Sequence, residues 1–436
     1  MKRFDSAQPV HPLYIPISAP WPHDGESVEW WFVHGNFSAD ESLSGHFMLC
    51  IFRHDIGGAH SFSMLFRLED SFHESPYIVS RTDRRVKDFL AWYKKKFQQT
   101  NLDANLLKIY FEEVEKYGLP KSQSSVESAV WFGEEDFSIA WTDFSLTRHD
   151  GALIVEFRVP WADAKTRLVL RSRTPVVDLD KLVNPGIGKV AYLTYPLCDL
   201  SGFYIGKDIS GSGWFDHQWG DVSSGVTPQD DPTGQKRLLG WDWFGINLND
   251  GRAVVISIHR DMETKKILGS NFVLINTDGM TQIITEFYAE PLRFWYSPKT
   301  CISYPVEWEI SIPSLDGKLI FAPQRDDQEI PFPGVTRAIW EGSGQISGTM
   351  NDKPVEGTAR LELYGYGYIF HLSDVLENFS RRIFRHIQDF FPEAPDGQFF
   401  EKYTGFAPGQ GNVEAVRDFL TRPMWDLLHR GGVAGH

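Results

Sequence analysis

Two short segments carry side chains able to move protons, and both set them among indoles. The first, "GSGWFDHQWGDV", runs from Gly211 to Val222 and holds Asp216 and His217 between Trp214 and Trp219. The second, "GWDWFGINLNDG", begins at Gly240 and places Asp242 between Trp241 and Trp243, with Phe244 following. Polar groups in such company are either buried struts or acids and bases acting on an apolar molecule. A carboxyl enclosed by indoles loses hydration, which favours its neutral form. Near pH 7 a neutral carboxylic acid is a proton donor. An imidazole between aromatic rings is pushed towards its neutral form, able to take a proton or orient water.

On a strand, Trp214, Asp216 and Gln218 face one way, while Phe215, His217 and Trp219 face the other. In the second segment Trp241 and Trp243 share a face, with Asp242 opposite. If the two segments pair, Asp242 and His217 meet in one cavity. The plainer readings are a core histidine bonded to a backbone carbonyl and a rim aspartate bonded to backbone. A third candidate lies in "HDGESVEWWF", where Glu29 points away from Trp30 and follows His23, Asp24 and Glu26. It is either an inward polar residue of a lined cavity or the partner of an arginine. "FRHDIGGAHSFS" supplies Arg53, His54 and Asp55 and reads as a hairpin turn.

The absences narrow the chemistry. There is no GxGxxG after a strand, no Walker A loop, no GxSxG elbow, no HExxH and no zinc spacing. The 3 cysteines, Cys50, Cys198 and Cys301, are far apart and form no metal or redox motif. No nucleotide cofactor and no metal ion are therefore expected. With 15 Trp, 15 Tyr and 32 Phe the chain is 14% aromatic, a composition suited to wrapping an apolar ligand. A net charge of −15 argues against nucleic acid and against a polybasic membrane anchor. No run of about 18 apolar residues supports stable membrane insertion. The N-terminus lacks the apolar core of a signal peptide, so a cytoplasmic location is expected. The oligomeric state is not legible.

The elements that must position these groups read mostly as strands. "LSGHFMLCIFR", "FSIAWTDFSLTRHDGALIVEFRV" and "LLGWDWFGINLNDGRAVVISIHRD" alternate apolar with polar, and His-Asp-Gly, Asn-Asp-Gly, Thr-Asp-Gly and Leu-Asp-Gly punctuate them. The pattern is an antiparallel meander closed as a barrel or packed as a sandwich. Two stretches break the rhythm. Val86, Phe89, Leu90, Tyr93 and Phe97 recur at helical spacing, which predicts a helical insertion over 83–118. From Ser373 onward, "DVLENFSRRIFRHIQDFF" and "NVEAVRDFLTRPMWDLLHR" predict a helical tail. A polar loop over 223–237 separates a first domain (1–225) from a second (235–372), and the tail occupies 373–436.

Several phrases together carry a resemblance: "VEWWFVHG", "FMLCIFR", "YPLCDLSG", "GWFDHQWG", "GWDWFGINLNDG" and "IWEGSGQISGTMNDKPVEGTARLELYGYG". Over residues 20 to 370 the chain resembles the carotenoid 1,2-hydratase/AttH-like, lipocalin-related family. The resemblance implies tandem lipocalin-like (calycin) β-barrel domains with a hydrophobic pocket in or between them, and no cofactor. It implies hydration of a C=C in a polyisoprenoid or prenyl group, or, as in fungal members, Diels–Alder cyclisation of a polyene. In the hydratases a His-x-Trp pair and a downstream aspartate are implicated in protonating the alkene. Here His217 and Trp219 match the pair and Asp242 is the candidate acid, but the tyrosine expected two residues before it is Gly240.

The sequence thus points to a cofactor-independent enzyme acting on a hydrophobic polyene, terpenoid or polyketide. In acid-initiated hydration or cyclisation, Asp242 or Asp216 gives the proton, indole faces stabilise the cation and His217 handles water or the departing proton. The candidate substrate-binding set is Trp214, Trp219, Trp241, Trp243, Phe244, Trp31, Glu29 and Tyr195. A pericyclase works instead by shape and hydrogen bonding. A lipocalin-like carrier returns its ligand unchanged.

Overall fold

The computed structural model describes residues between 16 and 82, between 131 and 220, and between 229 and 366, apart from a few short stretches. Most of its strands pair with the strand before or after them in sequence. The N-terminal group comprises β1 (Val28–Asp40), β2 (Leu43–Ile56), β3 (Ala59–Asp70) and β4 (Tyr77–Thr82). It continues with β5 (Trp131–Phe132), β6 (Ser138–Trp141), β7 (Phe144–His149) and β8 (Ala152–Phe157). It ends with β9 (Thr166–Ser172), β10 (Val177–Asp178), β11 (Val190–Tyr204) and β12 (Lys207–Gly220). A short hairpin, β13 (Gln229–Asp230) and β14 (Lys236–Arg237), precedes the second group. That group opens with β15 (Leu239–Leu248), β16 (Ala253–Asp261), β17 (Ile267–Ile275), β18 (Thr281–Ile284) and β19 (Tyr288–Tyr296). It closes with β20 (Ser303–Ile312), β21 (Gly317–Pro323), β22 (Glu329–Pro331), β23 (Ala338–Met350) and β24 (Lys353–Tyr364).

The groups form a 12-stranded and a 10-stranded antiparallel sheet with the same plan. In the first, β4-β3-β2-β1 is joined to β12-β11-β9-β8-β7-β6-β5; in the second, β18-β17-β16-β15 is joined to β24-β23-β21-β20-β19. In each, the last long strand returns to pair with the first, so β1 corresponds to β15 and β12 to β24. The turn signals do their work locally. Asp150 (φ 49°) and Gly151 (φ 68°) both take the left-handed conformation that a two-residue hairpin between β7 and β8 demands. Gly211 answers a different need. A Cβ there would lie 1.9 Å from the Asn36 carbonyl oxygen, so only glycine lets β12 cross β1 this closely.

Two expectations are corrected. The sheets are curled but open: among the described residues, hydrogen-bonded pairing ends at β4 and β5 in the first and at β18 and β19 in the second. Period-two alternation and Asp-Gly turns specify an antiparallel meander, whereas closure depends on strand tilt and shear, which no local pattern encodes. Helices are the second correction. Among the described residues the one helical element is a single 3-10 turn, Pro313–Leu315. The segments read as a helical insertion (83–118) and a helical tail (373–436) lie outside the described residues. Among the described residues no helix is long and apolar enough to cross a membrane.

Alternation sorts the apolar residues into three layers. Trp31, Val33, Phe47, Leu49 and Phe215 pack within the first sheet's concave side. Phe244, Ile246, Ile256 and Leu361 do the same in the second. Phe32, Met48, Cys50 and Trp214 from the first sheet meet Trp243, Val255, Ile339 and Tyr364 from the second. The sheets therefore share a middle layer while each keeps an interior of its own, and every candidate residue falls in one of the three.

Candidate active site

The strand registers bring Glu29 and His217 together. On β1, Glu29 stands opposite Trp219 of β12 and opposite Arg53 of β2, and Trp31 stands opposite His217. With side chains alternating, Glu29, Trp31, Arg53, His217 and Trp219 all point into the first sheet's interior. The Glu29 carboxylate is fully buried. Its Oε1 lies 2.7 Å from His217 Nε2 and 2.9 Å from His23 Nδ1. Its Oε2 lies 2.8 Å from Arg53 Nη2 and accepts the His23 backbone N–H at 3.0 Å. Arg53 Nη2 also donates to the His23 carbonyl, which ties the approach to β1 onto β2.

The rings around this carboxylate are ordered by packing. His23 lies flat on Trp219, with centroids 3.9 Å apart and 1° between planes. His217 stacks near Trp31 at 5.4 Å and 14°, and Trp219 approaches it at 4.7 Å. Burial by itself would raise the Glu29 pKa, but the hydrogen bonds from His217 and His23 outweigh it and hold the group below the usual range. Burial lowers the His217 pKa despite the opposing pull of Glu29, which leaves the imidazole neutral at neutral pH. A neutral ring donating Nε2–H to a carboxylate exposes its lone pair at Nδ1. That is a base held in one tautomer, with the His23 side chain, 36% exposed, at its solvent edge.

The neighbouring residue serves the opposite face. Asp216 Oδ1 accepts from Trp214 Nε1 at 2.8 Å, and Oδ2 accepts from the Tyr192 hydroxyl at 2.8 Å. Trp243 Nε1 of the second sheet donates to that same hydroxyl at 3.0 Å, so a hydrogen-bond chain crosses the middle layer. Burial raises the Asp216 pKa to about 7 against the lowering effect of these donors. Trp241 donates to Glu362, another carboxyl pushed up by burial to about 7, and stacks on Tyr364 at 4.0 Å.

Asp242 belongs to neither group. It points into the second sheet's interior beside Phe244, where Arg260 Nη2 donates to its Oδ1 at 3.1 Å and the Tyr366 ring lies 3.8 Å beneath the guanidinium. Burial raises its pKa, offset by Arg260. The expectation that Asp242 shares a cavity with His217 is thus corrected. β12 pairs with β1 and β11, β15 pairs with β16 and β24, and the two side chains enter different interiors separated by the middle layer. Arg260 stands opposite Gly240 as Arg53 stands opposite Glu29, so Arg260 takes the place of Arg53 while its carboxylate partner, Asp242, sits two residues further along the first strand of its sheet. Tyr195 lies in the first interior, stacked on Phe215 at 5.7 Å.

The structure thus divides the candidates into Glu29, Trp31, His217, Trp219 and Tyr195 in the first interior, Asp216, Trp214, Trp241 and Trp243 in the middle layer, and Asp242 and Phe244 in the second interior. Residues not singled out as candidates complete each group: His23 and Arg53 around Glu29, Tyr192 beside Asp216, and Arg260 beside Asp242. Glu29 and Arg53 could be paired only once β1 and β2 are in register. His23 lies six residues before Glu29, and no fixed spacing announces it.

The model of the AttH-like family matches residues 6–366. No curated protein matches the chain in sequence. The protein described as AttH from Nitrosomonas europaea superposes with a TM-score of 0.55 at 20% identity, covering 79% of this chain and 95% of that one. Kievitone hydratase from Nectria haematococca gives a TM-score of 0.53 at 13% identity, covering 82% of this chain and 95% of its own. These likenesses concern the fold, in which both sheets of the present chain take part. With most of its length matched by one family model, the chain belongs to the AttH-like family.

Proposed function

We propose that this protein is an enzyme that adds water across an isolated C=C of a hydrophobic natural product, using side chains of the first sheet's interior. The observation that carries this reading is the Glu29–His217 contact at 2.7 Å with Trp31 and Trp219 against the imidazole. In the imidazolium form His217 Nδ1–H donates its proton to the alkene, and the π electrons form the new C–H bond. The faces of Trp31 and Trp219 stabilise the resulting carbocation. Water attacks the cation, and the now neutral Nδ1 removes the extra proton, leaving an alcohol and restoring the imidazolium. Glu29 stays ionised throughout and holds the ring. The lowered His217 pKa makes the imidazolium scarcer and each one a stronger acid. Kievitone hydratase, a hydratase by name, has a related fold, which agrees with this chemistry.

A second reading is favoured by one observation, the Asp216 pKa of about 7. A carboxyl near half-protonation in the middle layer can supply a proton to a substrate bound between the sheets, which requires Trp214 and Trp243, packed edge to face at 5.7 Å, to part and admit it.

Incubation of the purified chain with prenylated aromatics and linear polyenes in isotopically labelled water tests both. Under the first reading the product gains one labelled oxygen, and His217→Ala abolishes the gain while Asp216→Asn retains it. The reverse dependence selects the second reading. A ligand returned unchanged, or a cyclised product without solvent oxygen, rejects hydration.

A further inference from the structure

We propose that His23 Nδ1, Glu29 Oε1 and His217 Nε2 form a site for one divalent transition ion of the zinc type, and that occupancy silences the proton chemistry assigned above to the same residues. The silencing rests on that reading; the site itself does not. The three ligand atoms come from separate parts of the chain and lie within 4.8 Å of one another. Both imidazole nitrogens are aimed at a single carboxylate oxygen, at 2.9 and 2.7 Å.

Two imidazoles and a carboxylate are a donor set that zinc takes at about 2.0–2.2 Å. Tetrahedral geometry with such bonds sets neighbouring ligand atoms about 3.3 Å apart. The cluster must therefore open by roughly half an ångström. His23, half-exposed at the approach to β1, is the member with room to move, and it also gives an ion a route in from solvent.

The surroundings are those of a ligand set already oriented. Glu29 Oε2 remains on Arg53 and on the His23 N–H, which fixes the carboxylate plane. Outer partners of this kind hold metal ligands in position. Trp219, stacked flat on His23, sets the tilt of that ring while leaving movement within its plane, and Trp31 stacks beside the ring of His217. One effect opposes binding: the Arg53 guanidinium lies close enough to repel a dication. The site should thus hold its ion more weakly than a closed four-ligand structural centre and release it to a chelator.

Occupancy changes the proton map. An ion on His217 Nε2 needs the lone pair there, so the ring proton moves to Nδ1. The proposed reaction starts from the imidazolium, which carries protons on both nitrogens. A ring whose Nε2 lone pair is on the ion cannot take that form, and its remaining Nδ1–H is too weak an acid to protonate an alkene.

The test uses the full chain, stripped with EDTA and dialysed against zinc, with metal content measured per chain. One zinc per wild-type chain is expected, along with the visible absorption of tetrahedral cobalt when cobalt(II) is supplied and its loss on adding zinc. His23→Ala should bind at least tenfold more weakly, a lower bound set by what even an outer partner contributes. Because the wild-type cobalt signal needs no variant, the proposal is exposed even where a substitution fails to fold. No zinc retained by the wild type, or zinc retained undiminished by His23→Ala, overturns it. Activity separates the two readings: hydration that survives EDTA and is lost with zinc supports both. Hydration that requires added zinc rejects the metal-free mechanism and leaves the site standing, while hydration unaffected by bound zinc removes the silencing.

Discussion

Glu29→Gln tests most directly how the site is built, because it preserves shape and removes charge. The carboxylate accepts from His217 and His23 on one oxygen and from Arg53 and the His23 backbone on the other. A carboxamide offers one oxygen and one NH2 group, so two of these contacts must become donor against donor. Arg53 is almost wholly buried, and its charge interaction with Glu29 at 2.8 Å corresponds to about 6 kcal/mol at an effective dielectric of about 20. Desolvation consumes part of that, and breaking one side of a buried pair costs about 3–5 kcal/mol. A melting temperature lower by on the order of 10 °C is expected. The amide oxygen should turn to the charged arginine, leaving NH2 to face His217 Nε2. The imidazole must then accept at Nε2 and carry its proton on Nδ1. The nitrogen chemical shifts of His217 should report that tautomer change, and turnover should fall about 10⁴-fold, the scale associated with a histidine held in the wrong tautomer. A variant that melts with the wild type, keeps Nε2–H and retains turnover within tenfold would refute the reasoning.

Other outcomes follow from the same geometry. Asp242→Asn should destabilise the fold by about 3–5 kcal/mol through the stranded Arg260, while turnover per folded molecule stays at the wild-type level; a collapse of turnover at unchanged folding would return Asp242 to the reaction. Tyr192→Phe removes the hydroxyl bridging Trp243 and Asp216 and should cost about 1–3 kcal/mol in a denaturant titration. Asp216 binds its proton more tightly folded than unfolded, so its contribution to stability falls as pH rises from its unfolded value to about 7. Asp216→Asn should therefore gain on the wild type in melts at pH 8 relative to pH 4, and parallel curves would contradict the shift. Because burial lowers the His217 pKa, turnover limited by alkene protonation should rise as pH falls below neutral, until Glu29 protonates; a rate that instead climbs with pH excludes His217 as the acid.

The local features of this chain were legible because they depend on neighbours in sequence. Period-two alternation put Phe215, His217 and Trp219 on one face and Trp214 and Asp216 on the other, and the structure keeps them so. Asp150-Gly151 forms its hairpin, since φ preference is a property of the residue itself. The registers were not legible. A one-residue slip of β1 against β2 would carry Glu29 away from Arg53, and no composition or spacing fixes that offset. Closure of the sheets and the partner of Asp242 were misread for a related reason. Closure depends on strand tilt and shear across a whole sheet. Whether Asp242 meets His217 depends on whether β15 lies beside β12, although the actual partner of Asp242, Arg260, is only 18 residues on, across the β15–β16 hairpin. The sequence by itself determined which residues could do acid–base work and which way each would point. Tertiary structure alone decided that His217 answers to Glu29 rather than to Asp242, because a hydrogen bond needs atoms within about 3 Å, and only the folded sheets place β1 and β12 that close.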